Sequence, residues 1–174
     1  MIEQTRRSIR TTVRAGGPEA VPTRRRGHSR GPRVGITFAT FDLLDPQEIM
    51  MLAEAKRRCD YLICGLQMDP TIDRPQQEPP MQTVVERYIQ LRGCRYVDEI
   101  VPYSTERELE DILRSFEVDV RIVGDEFRER DFTGRAYCEA SGIELHFHHR
   151  DPRFSGSELR RVVAARAASR AADA

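Results

Sequence analysis

The stretch that decides the fold is Ile36-Thr37-Phe38-Ala39-Thr40-Phe41-Asp42-Leu43-Leu44-Asp45-Pro46-Gln47-Glu48-Ile49. It predicts a buried strand, a tight turn over residues 40–44, and the first turn of an amphipathic helix. In a parallel α/β sheet, such a junction lies at the carboxyl end of a strand, where the free backbone N–H groups of the helix start point outward. Folds of this class bind phosphates and nucleotides at that place.

Strand-like and helix-like segments alternate along the rest of the chain. The predicted strands are 34–39, 61–66, 96–101, 118–123 and 143–147, and the predicted helices are 46–58, 81–93, 105–116, 133–141 and 155–172, with a proline-rich loop over 67–80. Strands that are separated by helices indicate βαβ units with right-handed crossovers. The sequence therefore predicts an α/β fold with a doubly wound parallel sheet of five strands.

Composition narrows the class of protein. The 174 residues, 39% hydrophobic and 32% charged, suit one globular domain. No apolar run approaches the length of a membrane span, and the N-terminus lacks the apolar core of a secretory signal. The cysteines, at positions 59, 64, 94 and 138, form no C-x-x-C pair, which fits reduced, buried thiols. We expect a cytoplasmic protein without a membrane span.

The N-terminal residues differ in charge from the rest of the chain. Residues 1–33 contain nine arginines against two glutamates, so they carry a net charge of +7, and the remaining residues carry −7. We therefore divide the chain into a basic arm, 1–32, and a domain, 33–172. We interpret the arm as a disordered tail or a translated leader. Nucleic-acid binding is the weaker alternative, because basic arms without aromatic residues are unspecific.

Five ordered motifs resemble those of the cytidylyltransferase-like nucleotidyltransferases, and in particular the glycerol-3-phosphate cytidylyltransferase branch. That family has G-T-F-D-L-L-H-x-G-H where this chain has Ala39-Thr40-Phe41-Asp42-Leu43-Leu44-Asp45-Pro46-Gln47-Glu48. The other matches are Asp60-Tyr61-Leu62, the helix start 80–87, the run 95–99 (R-Y-V-D-E), the turn 123–126, and residues 150–160. The resemblance implies a Rossmann-like nucleotidyltransferase fold with strand order 3-2-1-4-5.

The resemblance also implies a reaction and a set of ligands. In the family, a substrate phosphate oxygen attacks the α-phosphate of CTP and pyrophosphate leaves, usually with Mg²⁺ bound to the triphosphate. For this chain it implies CTP or another nucleotide, a phosphorylated small alcohol such as glycerol 3-phosphate, and a possible homodimer. The residues expected to contact the nucleotide are Thr40, Phe41, Asp42, Arg87, Asp125, Arg150 and Ser155.

The chain departs from the family at the two histidines, which Asp45 and Glu48 replace. With Arg150 as a phosphate clamp, these are the candidate catalytic residues. Asp45-Pro46-Gln47-Glu48 also has the form of a helix capping box. Two carboxylates would repel a triphosphate, so we expect either an impaired transferase or an inactive nucleotide-binding or partner-binding pseudoenzyme. Binding of Mg²⁺ by Asp42, Asp45 and Glu48 is an alternative in which the repulsion becomes metal bridging.

Several candidates have a structural alternative. Arg87 is either a nucleotide ligand or an exposed ion-pair residue. Ser155 is either a nucleotide ligand or an ordinary helix cap, and Asp125 is either a nucleotide ligand or a turn residue. His146 and His148 lie on one face of the last strand and form a possible metal pair, while His149 is a possible substitute for the missing histidine donor.

Overall fold

The strands form one all-parallel sheet in the order β3-β2-β1-β4-β5. The computed structural model describes residues 31–150, 161–163 and 165–166. Its strands are β1 (Val34–Ala39), β2 (Tyr61–Gln67), β3 (Glu99–Tyr103), β4 (Val120–Gly124) and β5 (Glu144–His148). Its helices are α1 (Pro46–Arg58), α2 (Val84–Gly93), α3 (Glu106–Ser115) and α4 (Arg135–Ser141), with a short 3₁₀ helix over Asp125–Phe127. The predicted fold class and strand order are confirmed.

Helices cover both faces of this sheet. On one face, Leu52 of α1 and Leu91 of α2 pack into a core cluster with Leu62. On the other face, Leu113 of α3 and Cys138 of α4 pack into a second cluster, whose strand residues include Ile36 and Ile63. Each of these side chains is fully buried, and burying one large apolar side chain stabilises the fold by about 1.5–3 kcal/mol. The doubly wound architecture leaves only the ends of the strands open.

Two predicted elements begin three residues later than expected. Helix α2 begins at Val84 and not at residue 81, because Thr83 caps it and forms a complete capping box with Glu86. Strand β3 begins at Glu99 and not at residue 96, because the carboxylate of Asp98 interrupts the run: it accepts hydrogen bonds from the Leu62 N–H and the Lys56 ammonium at 2.7 and 2.5 Å.

Some predictions lie outside the described residues. They include the basic arm up to residue 30, Ser155, and most of the last helix, of which residues 161–163 and 165–166 are helical. Within residues 31–150 and these two short stretches, no helix combines the length and apolar character that crossing a bilayer requires.

Candidate functional site

A cavity of about 580 Å³ opens at the carboxyl ends of β1, β2 and β4. The start of α1 forms one wall, the start of α3 forms another, and the segment that follows β4 forms a third. The lining side chains that carry charge are Asp45, Glu48, Arg74, Glu106, Arg121, Glu126 and Arg150, together with the titratable His148. This is the position where open α/β sheets bind ligands, and the volume lies within the range of small-molecule sites.

The turn between β1 and α1 has an unusual backbone. Phe41, Leu43 and Leu44 have φ angles of 50°, 66° and 25°, which lie in the left-handed region that favours glycine. The segment before α2 holds this turn in place, because the Leu43 N–H donates to Gln82 Oε1 at 2.7 Å. Strained backbone persists only where its surroundings fix it, so the shape of the cavity rim depends on residues from a distant part of the sequence.

Asp42 is one of the groups that fix this turn. Its two carboxylate oxygens accept hydrogen bonds from the Met81 and Gln82 N–H groups, each at 3.0 Å, and the residue is buried. Phe41 packs in the core beside Leu52. Of the three predicted nucleotide contacts in this turn, Thr40 lines the cavity, whereas Phe41 and Asp42 do not. The side chains of Phe41 and Asp42 stabilise the turn and do not line the cavity.

Arg87 is buried, which corrects both interpretations of this residue. It is 1% exposed and does not line the cavity. Its guanidinium donates to four backbone carbonyls, those of Thr40, Gln67, Met68 and Gln82, at 2.8, 2.7, 2.6 and 3.2 Å. Burial lowers the pKa of Arg87, and Asp42 and Asp69 oppose that shift. Arg87 therefore joins the ends of β1 and β2 to the start of α2.

The start of α1 is the capping box that the sequence predicted. Asp45 Oδ1 accepts from the Glu48 N–H at 2.9 Å, Glu48 Oε2 accepts from the Asp45 N–H at 3.2 Å, and Pro46 occupies the first turn. Both acidic residues line the cavity. The negative charge that they bring to this helix start stabilises the helix dipole, and it opposes the binding of phosphates there.

The residues proposed for Mg²⁺ do not fit a metal site of their own. Both oxygens of Asp42 are used by backbone N–H groups, and Asp45 and Glu48 each accept one in the capping box. Among the described residues, no group of three or more His, Cys, Asp or Glu side chains is arranged to hold a metal ion. A requirement for Mg²⁺ in nucleotide binding stays a prediction.

Arg150 lies at the cavity, as predicted. It is largely exposed and pairs with Glu126 Oε1 at 3.0 Å. Asp125 begins the 3₁₀ helix directly after β4, beside the cavity-lining Gly124, and its side chain points away from the lining. His149 Nδ1 lies 2.5 Å from Asp125 Oδ2, and this hydrogen bond lowers the pKa of Asp125. His149 itself is not among the residues that line the cavity, and its role as a substitute donor stays a prediction.

A different histidine reaches the cavity. His148 lines it, and its Nδ1 lies 2.6 Å from Glu54 Oε2 on α1. The other oxygen of Glu54 lies 2.6 Å from His146 Nε2. Burial raises the pKa of Glu54, but the hydrogen bonds with His146 and His148 outweigh it, so the net shift is downward. His146 and His148 lie side by side, as the sequence predicts, but both contact Glu54. Among the described residues, no group of side chains around them is arranged to hold a metal ion.

Several polar residues of the cavity wall were not predicted from the sequence, among them Arg121 and Gln67. Arg121 is the second residue of β4 and is 5% exposed, and Gln67 ends β2 and is also 5% exposed. An arginine between Val120 and Ile122 in the predicted strand was the available signal, because charged residues are almost never fully buried without a partner. For Gln67 the sequence carries no comparable signal.

Comparison with known proteins agrees with the fold and with the place of the cavity. Residues 36–161 match the cytidylyltransferase-like family. The chain belongs to that family. The bifunctional protein HldE of Gluconacetobacter diazotrophicus is 30% identical over 118 residues, which are 67% of this chain and 24% of that protein. HldE of Caulobacter sp. (strain K31) is 34% identical over 115 residues, which are 66% of this chain and 23% of that protein.

A solved structure has a similar fold. The lipopolysaccharide core biosynthesis protein from Thermoplasma volcanium GSS1 superposes with a TM-score of 0.54 at 18% identity, over 70% of this chain and 98% of that one. This chain spans about a quarter of the length of the curated relatives named above. The match to the cytidylyltransferase-like family does not show whether the chain belongs to its glycerol-3-phosphate branch. That branch, the homodimer and the cytoplasmic location stay predictions.

Proposed function

We propose that this member of the cytidylyltransferase-like family binds a nucleoside triphosphate, CTP in the first place, and transfers its nucleotidyl group to a phosphorylated small alcohol such as glycerol 3-phosphate. The observation that supports this is the wall formed by His148 and Arg150, which faces the cavity at the carboxyl edge of the sheet. It supplies a guanidinium and an imidazole at the edge where the family binds its triphosphate, although the family's own histidine pair is absent.

The proposed reaction needs no covalent bond between the protein and the substrate. A phosphate oxygen of the alcohol forms a bond to the α-phosphorus, the bond from that phosphorus to its bridging oxygen breaks, and pyrophosphate leaves with the electron pair. Such transfers depend on in-line positioning and on positive charge around the phosphorus. In our proposal, the Arg150 guanidinium binds phosphate oxygens in a fork.

His148 takes the second role in this proposal. Glu54 fixes its ring through Nδ1, and a carboxylate that orients an imidazole in this way leaves the other ring nitrogen available to a ligand. In its protonated form His148 donates that N–H to a phosphate oxygen. The donor thus comes from the end of β5 and not from the start of α1, where Asp45 and Glu48 stand.

A second candidate function is nucleotide or partner binding without turnover. The capping box of Asp45 and Glu48 favours it, because carboxylates occupy the two positions where the family has its donors. Loss of one donor to the transition state slows such reactions by about 10²–10³-fold. On this alternative, the chain retains a nucleotide site whose occupancy serves a regulatory or scaffolding role.

Titration calorimetry of the full chain with CTP and then ATP, each with and without Mg²⁺, tests the proposal. We expect CTP to bind and Arg150→Gln to weaken binding about tenfold or more, as loss of a charged hydrogen bond does. Arg114→Gln is the matched control, since Arg114 is an exposed arginine on α3 outside the cavity lining. If neither nucleotide binds, nucleotidyl transfer and nucleotide binding are both wrong, and partner binding is the function that is left.

Pyrophosphate release separates the two candidates. With CTP and glycerol 3-phosphate, a transferase releases pyrophosphate only when both substrates are present, and His148→Gln slows that release more than it weakens CTP binding. Nucleotide binding without any release favours the non-catalytic alternative. In that case, replacing 45–48 with the family's H-x-G-H pattern should produce activity, and no gain in a folded, CTP-binding variant would show that the defect lies elsewhere.

A further inference from the structure

A second concave surface lies between α3 and β3, the strand at one edge of the sheet. Its volume is about 310 Å³. We call it the α3 groove and define it by its apolar residues Pro102, Tyr103, Ile112 and Phe116 and its carboxylates Glu108 and Asp111. The groove therefore offers a ligand apolar contact and negative charge together.

The helix that forms one side of the α3 groove is acidic. Helix α3 and the two residues after it, 106–117, hold five acidic side chains against two arginines, which is a net charge of −3. Asp111 is exposed, and no ion pair joins it to a cation within the described part of the chain. Carboxylates of this kind bind arginine side chains most strongly, because guanidinium and carboxylate form charge-assisted hydrogen bonds.

The basic arm of this chain carries the complementary charge. Residues 1–30 hold eight arginines against two glutamates, which is a net charge of +6, and residues 31–174 carry −6. Within the arm, residues 21–26 have the sequence Val21-Pro22-Thr23-Arg24-Arg25-Arg26. Two apolar residues at one end and three cations at the other match a groove with an apolar floor and carboxylates on its lining, and such complementarity of charge favours association.

The arm joins the domain beside one end of the α3 groove. Val34 begins β1, and it exchanges two hydrogen bonds of 2.9 Å with Asp119: its N–H donates to Oδ2, and its carbonyl accepts from the Asp119 N–H. Phe116 lies three residues before Asp119, so at most about 11 Å of chain separates them. From Phe116 the groove follows α3 back to Glu108, over about 12 Å. Six extended residues span about 20 Å, so residues 21–26 are long enough to fill it.

We propose that the α3 groove is the docking site of this chain's own basic arm and that residues 21–26 occupy it. The arginines of this segment pair with Asp111 and Glu108, and Val21 and Pro22 cover the apolar floor. Docking of this kind offsets the negative charge of α3 and removes apolar surface from water. It does not depend on nucleotide binding or on nucleotidyl transfer.

Limited digestion of the full chain with trypsin, followed by mass spectrometry, tests the docking. Trypsin cleaves after arginine, so residues 24–26 report on the docked segment, and Arg6 and Arg7 serve as a reference outside it. We expect initial cleavage after residues 24–26 to be about tenfold slower than after Arg6 and Arg7, because a bound segment is cleaved only when it opens. High salt should reduce this protection, since it screens exposed ion pairs. Equal cleavage rates at low salt would overturn the proposal.

Two variants assign the protection to the α3 groove, and neither alters the arm. Asp111→Arg reverses a charge on the lining, and Ser115→Arg places a long cation there. Each should speed cleavage after residues 24–26 about threefold or more, as loss of exposed ion pairs predicts, and leave cleavage after Arg6 unchanged. Glu78→Arg is the matched control, because it makes the same change of charge on an exposed residue outside the groove.

Folding of each variant is checked by thermal denaturation. Unchanged protection in the folded variants would show that the arm does not occupy the α3 groove. If neither arginine variant folds, Asp111→Asn, which only removes the charge, decides the question in the same assay.

Dilution separates docking within one chain from docking between two copies. Protection within one chain stays constant on dilution, because the effective concentration of a tethered segment does not change. An arm that is held by a neighbouring copy is released. Loss of protection on dilution would therefore overturn the proposal and indicate that copies exchange their arms.

Discussion

Two buried arginines of the same domain differ in how many hydrogen bonds they make and in whether they line the cavity. Arg87 is 1% exposed and donates to four backbone carbonyls, whereas Arg121 is 5% exposed and donates to one. Arg87 is not among the residues that line the cavity, and Arg121 is one of them. Burial alone does not distinguish a scaffold residue from a site residue. The number of hydrogen bonds already made does, because a satisfied donor has nothing left for a ligand.

The largest expected effect comes from Arg87→Met. The substitution leaves four backbone carbonyls without their donor, one in a buried hydrogen bond and three in partly buried ones, and each unsatisfied buried group costs about 1–3 kcal/mol. We expect the free energy of unfolding to fall by about 3 kcal/mol or more, measured by urea denaturation. Arg121→Met is the matched control and should cost about 1 kcal/mol, because one carbonyl bond and two ring contacts are lost. Equal losses would break the distinction between the two arginines.

A smaller effect is expected from Asp42→Ala. The carboxylate accepts two backbone N–H groups at 3.0 Å, and we expect about 2 kcal/mol of lost stability, as for hydrogen bonds to a charged group. Any dependence of CTP binding on Mg²⁺ should persist in Asp42→Ala. If the variant abolishes that dependence and keeps its stability, Asp42 is a metal ligand and our assignment of its role is wrong.

Changing the charge of the capping box should alter affinity more than stability. The double variant Asp45→Ser with Glu48→Gln retains the S/T-x-x-E/Q pattern of a capping box and removes two negative charges. We expect CTP to bind about tenfold more tightly, since two charges at cavity distance contribute about 1 kcal/mol or more at the effective dielectric of a protein surface. The unfolding free energy should stay within about 1 kcal/mol. Unchanged CTP affinity would place the triphosphate away from α1.

The smallest effect is the pH dependence of the contact between Glu54 and the two histidines. Burial raises the pKa of Glu54, the hydrogen bonds of His146 and His148 lower it, and the net result is below its ordinary value of 4.5. A carboxyl whose folded pKa is lowered stabilises the protein above its unfolded pKa, and this stability is lost as the pH falls through the folded pKa.

Comparison of Glu54→Gln with the unaltered chain tests this contact. The difference in unfolding free energy should be full above about pH 5 and should shrink as the pH falls below about 4. Urea denaturation at several pH values measures it. A difference that stays constant over that range would show that the charge of Glu54 contributes nothing to the contact.

The sheet and most of the helix boundaries could be predicted from the sequence. Local chemistry sets them: the capping box of Asp45 and Glu48 and the apolar runs of β1 and β2 act over a few residues. The start of α2 was predicted three residues too early, although the capping box of Thr83 and Glu86 is a local pattern that marks it. The Asp42 carboxylate also binds the N–H groups of Met81 and Gln82 just before the helix, and no local pattern contains that long-range contact.

The site residues were less predictable for a related reason. Arg87 carried a family motif, but its role depends on carbonyls from β1, β2 and the loop before α2, which only the fold brings together. Arg121 is the second residue of β4, and its long side chain reaches the cavity at the carboxyl end of the strand. Alternation along a strand indicates which face a residue occupies, and it does not indicate how far a flexible side chain extends along that face.

The hydrogen bonds of Arg87 affect how fast a ligand enters and leaves the cavity. These four hydrogen bonds fix the backbone of Thr40, Gln67, Met68 and Gln82 before any ligand arrives. This part of the rim therefore has no disordered segment to order on binding, and no conformational step in it slows association. Arrival should then be governed by diffusion and by the charge around the mouth. Departure should depend on the contacts that the ligand makes and not on the opening of a lid there.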